Sequence, residues 1–504
     1  MGWELHVSLA PDPGQPLYRR VVAAITGDIR SGRLRAGAEL PGTRRLAVQL
    51  GVHRNTTIAA YRELASAGWI DTRPGRGTFV LGVADAGPIA VPTARVATPT
   101  RPREILALGH LPAPAEAPQV ALARAYRRAL RHGGARVLDY AERGDSAVTL
   151  GHPRLRAALA ELSTRARGMA IGADDVLVTA GAQMALFLAT RALLGAGDGA
   201  AEGSRGVIAV EARGYSPVWE TFRSAGATPV PIPLDGDGLC VDTLCRVAAQ
   251  RHIRAVYVTP RHQHPTGVVM SPSRRAALVA FAAASGATIL EDDYDNDFEY
   301  GEDPVLPLAA THPHRAVLYV GSLAKLLAPG VRVGFVVAPP PLLRRMAEVR
   351  ASIDRQGDHA LECAVAELLD DGELRRHQQR MRVVCRARRD ALVSALASEL
   401  GDVVRFDRPA RGTAIWAAVR PDIDVDSWHV RALAAGVSFV PERAFDFDAA
   451  PSRHARFGFA SLDAARRVEA VGRLRRALPE GPRVRRPVPA KIVEADLRDL
   501  APPP

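Results

Sequence analysis

The chain has 504 residues, 47% of them hydrophobic and 24% charged, a balance that excludes wholesale disorder and suits roughly two to four globular domains. No apolar run approaches the ~20 residues of a membrane span, and no signal-peptide core opens the chain, so a cytoplasmic protein with no membrane partner is expected. The net charge of +12 points to a polyanionic partner, and residues 1–80 carry a large share of it, with eleven arginines against six acids.

Four cysteines (Cys240, Cys245, Cys363, Cys385) are too few for a disulfide framework in a chain this long. The pairs His262/His264 and His312/His314 lack a third ligand at metal-like spacing, so no metal site is expected.

Residues 12–80 read as one domain. Pro16 opens a helix with Leu17, Val21, Ile25 and Ile29 on one apolar face, and Gly32 ends it. A second short helix carries Arg44 to Leu50, Gly51 makes a turn, and a third helix follows His53, with Ile58, Tyr61, Leu64 and Ala65 directed inward. Helix, tight glycine turn, helix is the spacing of a helix-turn-helix. Trp69–Arg73 and Thr78–Leu81 then flank Pro74-Gly-Arg-Gly77, a β-hairpin that forms a wing.

This stretch resembles the winged-helix domain of GntR-type transcription regulators, through Pro16-Leu-Tyr, Leu50-Gly-Val, Arg54-Asn-Thr, Ala67-Gly-Trp-Ile and Gly75-Arg-Gly-Thr-Phe-Val80. The resemblance implies a double-stranded DNA operator as partner. Arg44, Arg54, Asn55, Thr56 and Thr57 would meet phosphates and major-groove edges, and Gly75 and Arg76 would approach the minor groove from the wing. Arginine at the start of a recognition helix can bind guanine in a bidentate manner. His53 stands where the family usually carries a capping Ser or Thr.

Residues 81–104 are rich in Pro, Gly and Ala without any period, as expected of a flexible linker, and the Pro- and Arg-rich residues 481–504 read as a disordered tail. Between them, residues 105–480 alternate short apolar strands (Val176–Thr179, Gly206–Val210, Ala255–Val258, Ala287–Leu290, Ala316–Val320, Gly334–Val337) with helices. That alternation indicates an α/β domain with a mainly parallel sheet covered on both faces, whose ligands sit beyond the carboxyl ends of the strands.

The polar residues at those ends carry the chemistry. Thr179 leads into Gly181-Ala182-Gln183 at a helix start, where free backbone N–H groups offer a phosphate cradle. Glu291-Asp-Asp-Tyr-Asp295 gathers four acids around a tyrosine, which is costly unless a cation, a metal or a protonated ring is bound. Ser322, Lys325 and Arg332 follow the next strand. Lys325 is one of only two lysines among 66 basic residues, the other being Lys491 in the tail. A lysine kept where arginine serves everywhere else suggests a nucleophilic amine, since guanidinium stays protonated. Amine, carboxylate, phosphate cradle and arginine together suit pyridoxal 5'-phosphate (PLP), whose ring acts as an electron sink when its nitrogen stays protonated.

On these motifs residues 105–480 resemble a fold-type I PLP-dependent aminotransferase domain, a mainly parallel large domain with a smaller α+β domain. Joined to the winged helix, the chain resembles the MocR-type regulators. The resemblance implies that Lys325 condenses with PLP, that Asp292 pairs with the pyridine nitrogen and that Tyr294 lies near the ring hydroxyl. It further implies that Ser322, Arg332 and the Gly181-Ala182-Gln183 turn hold the phosphate and that Tyr215 stacks on the ring. Tyr140 would reach the partner subunit's phosphate in a head-to-tail homodimer, and Arg456 would bind the carboxylate of an amino-acid effector.

Two departures bear on function. His264 occupies the asparagine position of the enzymes, within His262-Gln-His-Pro-Thr-Gly267, which argues against tuned transamination and leaves His262 or Gln263 to act near the ring. Pro217 stands where relatives responsive to γ-aminobutyrate have an extra arginine. The expected function is a transcription regulator that binds DNA through its winged helix and senses PLP or a PLP–amine adduct, without steady-state turnover. The alternatives are an active aminotransferase with an appended DNA-binding domain and a PLP-free interaction module.

Overall fold

The computed structural model describes residues 14–73, 76–81, 105–109, 117–140, 149–195, 206–295, 297–301, 305–311 and 316–478. The chain divides into two compact units between residues 102 and 103. Gly75, the linker expected over residues 82–104 and the tail from 481 lie outside the described residues.

The N-terminal unit contains α1 (Leu17–Arg30), β1 (Glu39–Leu40), α2 (Thr43–Leu50), α3 (Arg54–Ser66), β2 (Ile70–Arg73) and β3 (Gly77–Val80). Val21, Ile25, Leu46, Ala60, Tyr61 and Leu64 form its core, closed by Ile70 and Val80 from the wing. Leu17 and Ala65, expected inside, are exposed, while Thr57 and Ala60 take the inward positions on α3. Gly51 adopts φ +62° at the helix-turn-helix corner, a conformation that favours glycine. The wing is three-stranded, in the order β1-β3-β2, because Glu39 and Leu40 pair with Phe79 and Thr78.

In the second unit β4 (Leu106–Ala107) precedes β5 (Val176–Thr179), β6 (Val207–Glu211), β7 (Thr228–Ile232), β8 (Leu234–Asp235), β9 (Gly238–Leu239), β10 (Ile253–Val258), β11 (Thr288–Asp293), β12 (Val317–Ser322) and β13 (Gly334–Val337). Seven of these make the large sheet in the order β5-β13-β12-β11-β10-β6-β7, parallel throughout except for β13, which runs antiparallel to both neighbours. β5 and β10–β13 are buried almost throughout, as a sheet with helices on both faces requires. One layer of apolar side chains lies between this sheet and helices Ala182–Leu194 and Pro340–Ala351. Another packs it on Pro153–Arg167 and His359–Asp370.

The smaller α+β part holds β14 (Val404–Arg405), β15 (Ala414–Val419), β16 (Val437–Ser438), β17 (Val440–Pro441) and β18 (His454–Gly458). Its antiparallel sheet, β14-β15-β18-β17, packs on the 28-residue helix Glu373–Leu400 and on Ala464–Arg476 around Trp428, Phe439 and Phe457. Fold-type I geometry follows: a large, mainly parallel sheet that ends in a polar rim, with a smaller antiparallel domain beside it.

Candidate functional site

Strand register brings the rim together. Ser322 pairs with Gly334, which pairs with Thr179, so the turn at Ala180-Gly181, the end of β12 and the arginine before β13 become neighbours. Gly334 is dictated by this approach: a Cβ there would fall 2.8 Å from the Gly181 backbone. Gly181 itself has φ +89°, and a Cβ on it would meet Nη2 of Arg332 at 2.5 Å. Arg332 adopts φ +53°, an unusual backbone for a non-glycine residue, and donates to the Ala180 carbonyl at 2.9 Å. Helix Ala182–Leu194 starts here with no side-chain cap, so its first N–H groups face the arginine's neighbourhood unspent. Ser322 Oγ accepts from the Ala324 N–H at 3.2 Å. Gln183 lines an open groove of about 750 Å³ with Met184, Phe187, Ser216 and Pro217.

The four acids at the end of β11 and just beyond it are each answered differently. Glu291 takes the N–H groups of Leu308 and Ala309 at 2.8 and 2.9 Å. Asp293 accepts from Arg261 at 2.7 Å and from the Tyr319 hydroxyl at 2.6 Å. Asp295 faces Lys325, with Nζ 2.9 Å from Oδ1. Asp292 accepts from the Tyr257 hydroxyl at 2.9 Å through Oδ2, and its Oδ1 is buried with no partner among the described residues. Asp293 and Asp295 are thus buried, paired acids. Burial pushes the Asp292 carboxyl up to about 7, against the pull of Tyr257.

Lys325 is 9% exposed at its side chain, and Nζ lies 4.3 Å from the centroid of the Tyr294 ring. Burial lowers its amine below the usual range, with Asp295 opposing. The Tyr294 hydroxyl is 3.1 Å from His262 Nδ1. His264 contacts Tyr215, Tyr294 and Phe445 edge-on at centroid distances of 5.8, 5.2 and 5.2 Å, and neither ring nitrogen has a partner among the described residues. Burial holds it neutral, well below its ordinary value. Gln263, by contrast, spends its amide on Glu211, the Arg213 and His264 carbonyls and Thr266, so it is a loop anchor and not a group free to act near the ring.

Arg456, half-buried on β18, pairs with no acid among the described residues, although Tyr294 and Asp295 act on it electrostatically. Tyr215 starts helix Ser216–Ser224 and is 43% exposed. Tyr140 is 70% exposed and lies under the Arg355 guanidinium at 4.2 Å. Sequence reasoning missed Asp295 as a partner of the amine, and the buried pairing of Arg261 with Asp293. The density of acids in 291–295 was the only signal for either.

The residues fit PLP on three observations: an orphaned buried carboxylate oxygen at Asp292, a primary amine inside the rim, and a glycine–arginine cradle that a Cβ would fill. Among the described residues no group of acids, histidines or cysteines could hold a metal, and no helix is long and apolar enough to cross a membrane.

On the N-terminal unit, Arg44, Arg54, Asn55 and Arg76 are exposed, Thr56 is half-buried, and none of the three arginines has an ion pair among the described residues. His53 does cap α3, its Nδ1 accepting from the Asn55 N–H at 3.3 Å. Thr57 departs from expectation. It is fully buried, and its hydroxyl donates to the Thr43 and Arg54 carbonyls at 2.9 and 2.8 Å, tying α3 to α2 and leaving nothing for DNA.

A winged helix and a PLP-type aminotransferase domain therefore occupy one chain. Residues 17–80 match the model of bacterial regulatory proteins of the gntR family, and residues 120–474 match that of class I and II aminotransferases. The chain is 30% identical over 483 residues to the probable rhizopine catabolism regulatory protein MocR of Rhizobium meliloti, covering 92% of this chain and 94% of that one. It is 31% identical over 495 residues to the transcriptional regulator TauR of Rhodobacter capsulatus, covering 93% and 98%. Among solved structures it is similar to the α-aminoadipate aminotransferase LysN of Thermus thermophilus, with a TM-score of 0.65, 30% identity and coverage of 74% of this chain and 92% of that one. The chain belongs to the MocR-type transcription regulators, a gntR-type DNA-binding domain fused to a PLP-dependent class I and II aminotransferase domain.

Proposed function

We propose that this regulator senses PLP together with an amine or amino acid, and that the liganded state of its large unit changes how its winged helices occupy an operator. The observation that carries the reading is Lys325: one of two lysines in the chain, buried beside carboxylates at the rim of the sheet, on a polypeptide that also carries a winged helix. PLP bound there would supply an aldehyde that condenses with primary amines and a ring that accepts electron density. In this reading Lys325 supplies the amine, Asp292 Oδ1 holds the protonated ring nitrogen, and Tyr294 with His262 flanks the ring hydroxyl. Arg332, Ser322 and the Gly181-Ala182-Gln183 turn hold the phosphate, while Tyr215 covers the ring. Arg456, which forms no ion pair among the described residues, would take the effector's carboxylate.

Arg44, Arg54, Asn55, Thr56, Gly75 and Arg76 are assigned to DNA, with Thr57 removed from that set. The exposure of Tyr140 supports a head-to-tail homodimer in which Tyr140 reaches the partner's phosphate site.

A ligand shifts an equilibrium only by its differential affinity for the two states, so the test measures both ends. Binding of the protein to its own upstream DNA is followed with PLP, with candidate amines and with both. A change in affinity or footprint that needs PLP supports the reading; multiple turnovers of an amino donor with a keto acid at ordinary enzyme rates, without any effect on DNA, would replace it with the aminotransferase alternative.

A further inference from the structure

Asp295 has no part in the assignment above, yet it is the acid nearest the amine. Its side chain is 1% exposed, with Oδ1 2.9 Å from Lys325 Nζ and Oδ2 3.4 Å from His262 Nδ1. Lys325 and His262 both draw on this carboxylate by charge and by hydrogen bond. The surroundings are shaped to hold it. Gly412, at φ +79°, comes so close that a Cβ would fall 2.1 Å from His262 Cε1 and 2.8 Å from Asp295 Oδ2. The Gly412 N–H is anchored on the Phe298 carbonyl at 2.8 Å, and on the other side a Cβ at Gly267 would come 3.2 Å from His262 Nε2.

We propose that Asp295 is the counter-ion that holds Lys325 as an ammonium before the cofactor arrives, a positioning residue clamped between His262 and Gly412. The proposal rests on the cofactor reading above for its purpose, though not for its first test. Asp292 does not fill this place: its Oδ2 is taken by the Tyr257 hydroxyl, it forms no ion pair with Lys325 among the described residues, and burial pushes its carboxyl up. Burial would raise Asp295 too, but Lys325 and then His262 more than offset it and hold it below the usual carboxylate range. Two neighbouring acids driven apart in this way take different roles.

Several groups act on the amine besides Asp295. Asp292, Tyr294 and Asp297 come from β11 and the loop after it, His262 and His264 from the loop after β10, and Arg456 from β18. Burial and Arg456 disfavour the ammonium, whereas Asp295 and Asp297 favour it. Removing the Asp295 charge leaves the disfavouring groups in the majority, and the amine titrates lower.

The consequence is a proton gate on capture. Nζ attacks an aldehyde only as the free amine. One ammonium proton leaves to solvent; the Nζ–carbon bond then forms, and the carbonyl oxygen departs as water with the remaining two amine protons. A higher amine pKa means a smaller reactive fraction at neutral pH and slower capture.

The chain's lysine content makes the first test clean. Apo full-length protein is labelled with trace acetic anhydride across a pH series, and Lys325 is read by mass spectrometry against Lys491, the other lysine, as internal reference. In D295N the Lys325 midpoint should fall by at least one pH unit, about a tenfold gain in free amine at pH values well below both midpoints. Covalent capture of PLP at pH 7 should accelerate by the same factor, while affinity for pyridoxamine 5'-phosphate, which has no aldehyde, stays unchanged. D295S, smaller in the same cradle, serves if D295N shows no cooperative melting. An unmoved midpoint, or equal loss of both cofactors, overturns the proposal. If wild type captures no PLP but the midpoint still moves, the counter-ion stands and the cofactor reading falls.

Discussion

Tyr257 donates a 2.9 Å hydrogen bond to Oδ2 of Asp292, while Oδ1 of the same buried carboxylate is left without a donor among the described residues. One oxygen is fixed in orientation and the other is left for a ligand N–H. A charged hydrogen bond of this kind contributes about 1.5–3 kcal/mol. D292N should therefore weaken PLP binding by about 10- to 150-fold, read by absorbance titration. Y257F, which only loosens the carboxylate, should cost less than about tenfold. Equal losses in the two variants would contradict this division.

The buried acids predict how stability follows pH. Burial raises Asp292, Glu211 and Glu291 to about 7 and Asp297 to about 6. In the unfolded chain these groups ionise near ~4. Between those values the folded state keeps protons that the unfolded state has shed, so the stability these carboxyls contribute falls as pH rises through the window. His152, His264, His359 and His429, which burial lowers, act the other way and offset part of that fall. The apo protein should melt at least ~5 °C lower at pH 7.5 than at pH 5 by calorimetry. PLP, by giving Asp292 a cationic partner, should recover more at pH 7.5 than at pH 5. A melting temperature that climbs with pH across this range would contradict the assignment.

Much of this was legible beforehand, for physical reasons that differ by residue. The central strands stood out because strands buried on both faces are continuous apolar runs, and Lys325 stood out by scarcity in an arginine-rich chain. β7 was not read, since Thr228-Pro-Val-Pro-Ile carries two prolines, tolerated there because the strand lies at the sheet edge. Thr57 looked like a DNA contact by its place near the start of α3; only the docking of α2 decides that it is buried. Asp295 stood out only as one of four acids around a tyrosine, because its partner is thirty residues away, brought near by the pairing of β11 with β12.

Arg456 should separate effector recognition from cofactor binding. R456A removes a half-buried cation that forms no ion pair among the described residues, so folding and PLP affinity should change little. The response to any carboxylate-bearing amine should weaken by about 10- to 150-fold, the worth of a charged hydrogen-bonded contact. The check is the amine concentration that shifts the PLP spectrum; an unchanged value in R456A would remove the assignment.

In the winged helix, R54A and T57A should fail in different ways. R54A should lose about 1–3 kcal/mol of operator affinity with an unchanged melting temperature. T57A leaves the buried end of α3 untied from Thr43 and should destabilise the unit by about 1–2 kcal/mol, with only indirect loss of DNA binding. Melting curves beside mobility shifts distinguish the two, and a T57A protein of wild-type stability that cannot bind DNA would return Thr57 to the interface.

Borohydride reduction of the protein after incubation with PLP, followed by peptide mapping, asks directly whether the buried amine is where the vitamin is held. The label should fall on Lys325 alone and vanish in K325A. Label on Lys491 or the N-terminus, or a visible PLP complex that borohydride leaves unattached, would contradict it.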